Sequence, residues 1–380
     1  MAMRTRQWRK LNNLIKNLLA VLCSLIVVCI LIEVMLHLWD PFEFRVKGDK
    51  IVLPKNRHYV IKNSKIRSLD EVIVHTKNSL GFRGDNPPEN FADYLTIISI
   101  GGSTTECFYL SDNKTWTDVL GKELKRDFKN VWINNAGLDG CSSRAHLVLL
   151  KDYIVELKPK VVIFLVGAND VWLQDANSYD DQIRLQNAGV FKKVLQKSEI
   201  YNLGLNLSRY WEARTFKIAH SSINLKTIEH ISIPQDEIAS LLKLHQDHYV
   251  QSYEGRLSSL VNICQANSIQ PVFITQPSLF GEGMDAITGA NLETAKIEKG
   301  LNGQAYWRLL ELYNDATRKI ASTHGVWLLD LAREMPKSSD YFYDTLHFTN
   351  AGAQKVAEII YPKLSQLMAT KFRDYQINRN

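Results

Sequence analysis

YLTIISIGGSTTE, residues 94–106, decides the fold. Tyr94–Ile100 is a nearly unbroken apolar and β-branched run without polar alternation, the pattern of a strand buried on both faces. Two glycines end it, and Ser103 opens a loop leading toward a helix. The same grammar recurs along the chain. Short strands are predicted at Val131–Asn135, Val161–Val166 (VVIFLV), Pro271–Thr275 and Val326–Leu329. Helical spacing of apolar residues is predicted at Trp116–Phe128, Ser143–Leu157, about Asp236–Gln265, Tyr306–Ser322 and Ala351–Met368. Buried strands each followed by a helix imply an α/β three-layer sandwich around a parallel sheet. Such sheets place ligands at the carboxyl ends of their strands.

Those ends carry polar residues. After the first strand, Ser103 can present its hydroxyl to a substrate, although serine is also a common helix N-cap. The second strand ends in NAGLDG (Asn135–Gly140), where the N–H of Gly140 either completes a turn or serves an anion. The third ends in GAND (Gly167–Asp170), where Asn169 offers an amide donor or makes an Asx turn. Before the last helix comes DTLH, Asp344 to His347, a spacing at which the carboxylate can hold Nδ1–H and free Nε2 as a base. Each signal alone has a structural explanation. One parallel sheet could bring all four together.

Taken together, the four blocks resemble the SGNH (GDSL-like) hydrolase family: GGST with Ser103, NAGLDG with Gly140, GAND with Asn169, and DTLH with Asp344 and His347. The resemblance spans about residues 94–368. Gly102 departs from the family's G-D-S, standing where a non-catalytic aspartate is usual. NSLGFRG, Asn78–Gly84, is similar to a lead-in of some membrane-linked bacterial members. The resemblance implies a flavodoxin-like SGNH fold with Ser103 as nucleophile, His347 as general base and Asp344 fixing its tautomer. It implies an oxyanion hole made from the N–H groups of Ser103 and Gly140 and the Asn169 amide. It implies no cofactor. His245 and His248 stand at i, i+3 without a carboxylate or cysteine in step, so no metal site is expected there. Phosphate-loop and dinucleotide fingerprints do not occur at the GGST turn.

The N-terminus sets the expected compartment. Leu18–Ile32 is uncharged, and apolar character continues past Glu33 to Trp39. About 20 apolar residues cross a bilayer, so this stretch suffices with Glu33 near the outer interface. Arg4, Arg6, Arg9, Lys10 and Lys16 all precede it, which by the positive-inside rule keeps the N-terminus cytoplasmic and places the rest outside the inner membrane, in the periplasm. No convincing small-x-small cleavage site lies between Ile32 and Phe44, so a retained signal anchor is favoured over a cleaved signal. The expected organisation is a basic tail at 1–16, an anchor at 17–39, a loop-rich lead-in at 40–93, the main domain at 94–370 and a polar tail at 371–380. An aromatic insertion at about 175–235 is a candidate cap or protein-partner surface.

Net charge is +6. Residues 1–40 hold five cations against Glu33 and Asp40, or +3, which leaves +3 for the other 340 residues. Without a basic stripe, nucleic acid is not an expected partner. The five cysteines make no disulfide framework. Cys107 and Cys141 both fall near the site, either bonded to one another or buried as small apolar residues. The expectation is a serine esterase acting on O-acyl groups, acetyl among them, of an envelope glycan or lipid. An O-acyltransferase would use the same residues, and a non-catalytic assembly subunit would keep only the fold.

Overall fold

A computed structural model describes residues 2–39, 46–47, 50–64, 66–172, 195, 197–215 and 222–377. The chain forms two compact units. One comprises Met1–Val52 with Ile183–Ile218, the other Leu53–Gln182 with Ala219–Asn380.

In the first unit, α1 runs from Ala2 to Leu38. Its segment Asn12–Leu38 is 27 residues long and apolar enough to cross a membrane, a rise of about 40 Å at helical geometry. From residue 12 to 38 only Leu36 is buried and only Glu33 half-buried. Strands β1 (Val46–Lys47) and β2 (Lys50–Ile51) form a minimal antiparallel pair. The Glu33 carboxylate accepts hydrogen bonds from Ser198 Oγ (2.9 Å) and from the N–H groups of Glu199 (2.7 Å) and Ile200 (3.1 Å). It thereby satisfies N–H groups that the start of a helix cannot pair internally. That helix, Glu199–Thr215, belongs to the insertion. Residues 175–194, 196 and 216–221 of the insertion, Tyr179, Phe191 and Phe216 among them, lie outside the described residues.

The second unit opens with an antiparallel hairpin of β3 (Arg57–Lys62) and β4 (Val72–Lys77). The five-stranded parallel sheet follows: β5 (Leu95–Gly101), β6 (Val131–Asn135), β7 (Val161–Val166), β8 (Gln270–Thr275) and β9 (Trp327–Leu329). Their spatial order is β6-β5-β7-β8-β9. Counting these strands from one, the order is 2-1-3-4-5, the doubly wound flavodoxin-like arrangement. Register is set by pairs such as Leu95↔Val131, Ile97↔Val161 and Val162↔Pro271. Every residue of β5, β7 and β8 is buried, as runs without polar alternation require.

Helices cover both faces. After α2 (Ser103–Glu106), helix α3 (Trp116–Leu124) joins the C-terminal helix, Asn350–Lys371, on one face, with Trp116, Leu120, Val356 and Ile360 packed in one core with Ile97, Ile163 and Ile274. Each such fully buried aliphatic side chain stabilises the fold by about 1.5–3 kcal/mol. Both helices are capped as their sequences suggest. Thr115 and Asp118 form a reciprocal capping box, and Thr349 Oγ1 accepts from Gly352 N–H at 3.0 Å. On the other side lie α4 (Ser143–Leu149) and the helices Gln251–Ala266 and Gly303–Thr323. Two helices predicted as continuous contain a turn of π-helix, at Leu150–Ile154 and Gln246–Val250. Periodicity of 3.6 residues cannot signal a single widened turn.

Candidate active site

The carboxyl ends of β5, β6 and β7 converge on one crevice, and the loop preceding the last helix closes it. Ser103 begins α2 directly after β5. His347 Nε2 stands 2.6 Å from Ser103 Oγ, and His347 Nδ1 stands 2.6 Å from Asp344 Oδ2. The other Asp344 oxygen accepts the N–H groups of Leu346 (2.9 Å) and His347 (2.8 Å). With an ionised carboxylate as acceptor, the imidazole proton sits on Nδ1, and Nε2 accepts the Ser103 hydroxyl. Burial alone would push the Asp344 pKa up. The facing His347 and the backbone N–H donors outweigh it and hold the carboxyl below its ordinary value. The Tyr343 ring stacks on His347, with centroids 5.6 Å apart and planes 13° off parallel, which limits rotation of the imidazole.

The three donors proposed by the sequence are gathered here too. Among the described residues, no hydrogen bond engages the N–H of Ser103 or of Gly140. Gly140 has φ +73°, a left-handed conformation that favours glycine. One hydrogen of the Asn169 amide goes to Cys141 O at 2.8 Å, and the amide nitrogen carries a second. Gly102 has an ordinary φ of −85° but no room: a Cβ there would stand 2.6 Å from Asn169 Nδ2 and 3.1 Å from Cys141 O. A side chain at this position would crowd the Asn169 amide. No disulfide joins Cys107 and Cys141 in this structure. Burial pushes the Cys107 thiol up to about 12, and it donates instead to Thr104 O at 3.3 Å.

Several residues that the sequence did not single out surround the crevice. Asp170 is buried and accepts the N–H (3.1 Å) and hydroxyl of Ser143, and Arg256 Nη2 donates to it at 3.0 Å. This fixes the start of α4 immediately after the Gly140 loop. The buried Glu106, three residues beyond Ser103, pairs with the buried Lys77. Arg83 of the NSLGFRG segment donates to the carbonyls of Glu106 (2.9 Å), Cys107 (2.5 Å) and Leu110 (2.7 Å). Its resemblance to a known lead-in was the one available signal for this group. Among the described residues, no cluster of three or more metal-ligating side chains occurs, and His245 is instead buried against the Tyr313 hydroxyl at 3.0 Å. An open concavity of about 470 Å³ beside Lys125, Lys129 and Trp132 lies at the amino end of β6, away from this crevice.

Known proteins can now be set beside this arrangement. No curated protein matches the chain by sequence. Among solved structures, TesA aligns over 72% of this chain and 99% of its own, at 14% identity and a TM-score of 0.40. The acetyl xylan esterase AlAXEase aligns over 70% and 98%, at 16% identity and a TM-score of 0.40. A lipase/acylhydrolase from Enterococcus faecalis aligns over 72% and 96%, at 14% identity and 0.40. Residues 99–355, which run from the end of β5 into the last helix and include Ser103, Gly140, Asn169, Asp344 and His347, match the family described as GDSL-like Lipase/Acylhydrolase, and the chain belongs to that family.

Proposed function

We propose that this chain is a membrane-anchored serine esterase, cleaving O-acyl esters, acetyl among them, on an envelope glycan or lipid. The observation that carries this is the continuous line Asp344–His347–Ser103, with both spacings at 2.6 Å, beside two unengaged N–H groups. In the reaction, Ser103 Oγ attacks the ester carbonyl carbon as its proton passes to His347 Nε2. The carbonyl electron pair moves onto oxygen, which the N–H groups of Ser103 and Gly140 and the Asn169 amide stabilise in this reading. Collapse breaks the bond to the leaving alcohol, which takes the proton from His347. Water, deprotonated by His347, then attacks the acyl-Ser103, and collapse breaks the acyl–Oγ bond, releasing the acid as His347 returns the proton to Ser103 Oγ. Asp344, kept ionised, stabilises the imidazolium formed in both halves.

Anchoring by α1, with the N-terminal cations in the cytoplasm and the catalytic unit in the periplasm, is supported by the 27-residue apolar segment and the charges before it. The test is turnover of p-nitrophenyl acetate, and acetate release from an O-acetylated envelope glycan, by the full chain in detergent. Ser103→Ala should lower both rates by at least about 10⁴-fold while leaving thermal unfolding in place. A Ser103→Ala variant with full activity would overturn the assignment.

A further inference from the structure

The Gly140 loop is held on both sides of its donor. On one side Asn169 grips the Cys141 carbonyl. On the other, Asp139 N–H donates to Glu106 Oε2 at 2.6 Å. Glu106 closes α2, the four-residue helix that Ser103 opens. Its second oxygen, Oε1, lies 2.8 Å from Lys77 Nζ, and the two side chains are only 4% and 1% exposed. Lys77 ends β4, so the hairpin that precedes the sheet reaches the nucleophile's helix through this pair.

Stability does not account for such a pair. Taking two charges out of water costs about as much as their attraction returns, and apolar replacements of similar volume are often neutral or better. What the pair does supply is geometry. A carboxylate fixed to the nucleophile's own helix sets the distance between the two backbone donors, Ser103 N–H and Gly140 N–H, through Asp139. The buried lysine keeps that carboxylate in place and compensated. Arg83, itself 1% exposed, holds the carbonyls of Glu106 and Cys107 from the same side.

We propose that Glu106, supported by Lys77, is a positioning residue that sets the oxyanion loop against Ser103. This rests on the esterase reading, and the test separates the two. Hydrogen exchange at Asp139 and Gly140 is measured on the full chain in detergent for wild type, Glu106→Ala, Glu106→Gln and the double variant Lys77→Met/Glu106→Gln. Turnover of p-nitrophenyl acetate is measured alongside, normalised to sites titrated by fluorophosphonate. Glu106→Ala should raise exchange at Asp139 by at least about tenfold and lower kcat by about 10–100-fold with KM little changed, short of the roughly 10²–10³-fold cost of deleting an oxyanion donor outright. Glu106→Gln keeps an acceptor for Asp139, and the double variant removes both charges of the pair, so neither is left buried alone. Both should stay within about threefold of wild type, and the double variant covers the case in which Glu106→Ala fails to fold. Unchanged Asp139 exchange in folded Glu106→Ala, or a double variant as slow as Glu106→Ala, would overturn the proposal. A changed exchange with unchanged kcat per titrated site would also overturn it. Wild type that neither labels nor turns over would instead overturn the esterase reading, leaving the exchange measurement to judge the strut alone.

Discussion

Two regions of this molecule break the usual rule of apolar inside and polar outside, in opposite directions. At the carboxyl ends of β5–β7 the interior is polar, with Glu106, Lys77, Arg83 and Asp170 all buried. Along α1 the exterior is apolar, with Leu18, Leu22 and Leu31 each more than half exposed. Buried polar groups and exposed apolar patches are the informative departures from the rule, because each costs free energy in water. The first is met by hydrogen bonds and charge pairing, which also fix a crevice. The second is the pattern of a helix long and apolar enough to cross a lipid core. Gly303–Thr323 in the catalytic unit makes the contrast plain: Leu309, Leu310 and Tyr313 are buried against neighbours.

Breaking each region should give effects of different size. The largest concerns Asn169, whose amide grips the Gly140 loop and offers a second hydrogen to the crevice. Asn169→Ala should lower kcat for p-nitrophenyl acetate by about 10²–10³-fold, with fluorophosphonate labelling slowed in step. Next comes α1. Placing aspartate at both Leu22 and Val27 should disfavour insertion by roughly 2.5–3.5 kcal/mol per charge. Alkaline extraction of membranes should then move the chain to the soluble fraction, with turnover per titrated site unchanged. Leu309→Asp, by contrast, should unfold the catalytic unit.

The smallest effect concerns pH. Burial holds His146 neutral, lowering its pKa from 6.5 to about 4. Burial, with help from the nearby Arg83 and Lys77 charges, takes His75 from 6.5 to about 3. Between 6.5 and these values the unfolded chain binds protons that the folded chain does not, so stability falls as pH falls through that window and levels off below it. Thermal unfolding recorded from pH 7.5 to about 4.5 should show this decline, and His146→Gln should flatten it.

How much of this was legible in sequence follows from the range of the interactions. Strand ends are local signals: GGST, GAND and DTLH each sit within a few residues of a strand or helix boundary, and the parallel topology brings them together. The 2-1-3-4-5 order itself is not written in any one segment, because it depends on which strands pair. Lys77 and Glu106 are 29 residues apart, and nothing in either segment says that a lysine ending a strand will be dry. Gly102 was visible as a departure, but the Asn169 amide packed against it lies 67 positions away along the chain. Glu33 was legible as an acid within the apolar N-terminal stretch. Its role as acceptor for the start of the Glu199–Thr215 helix depends on the insertion, whose aromatic composition carries no positional pattern.

The central claim is that Ser103 is an activated nucleophile. Its most direct test is reaction of the full chain in detergent with a fluorophosphonate, followed by mass mapping of the modified peptide. Stoichiometric phosphonylation at Ser103, abolished in His347→Ala although the serine is still present, is the expected result. A folded wild-type chain left unmodified at Ser103, or one modified equally well without His347, would contradict it.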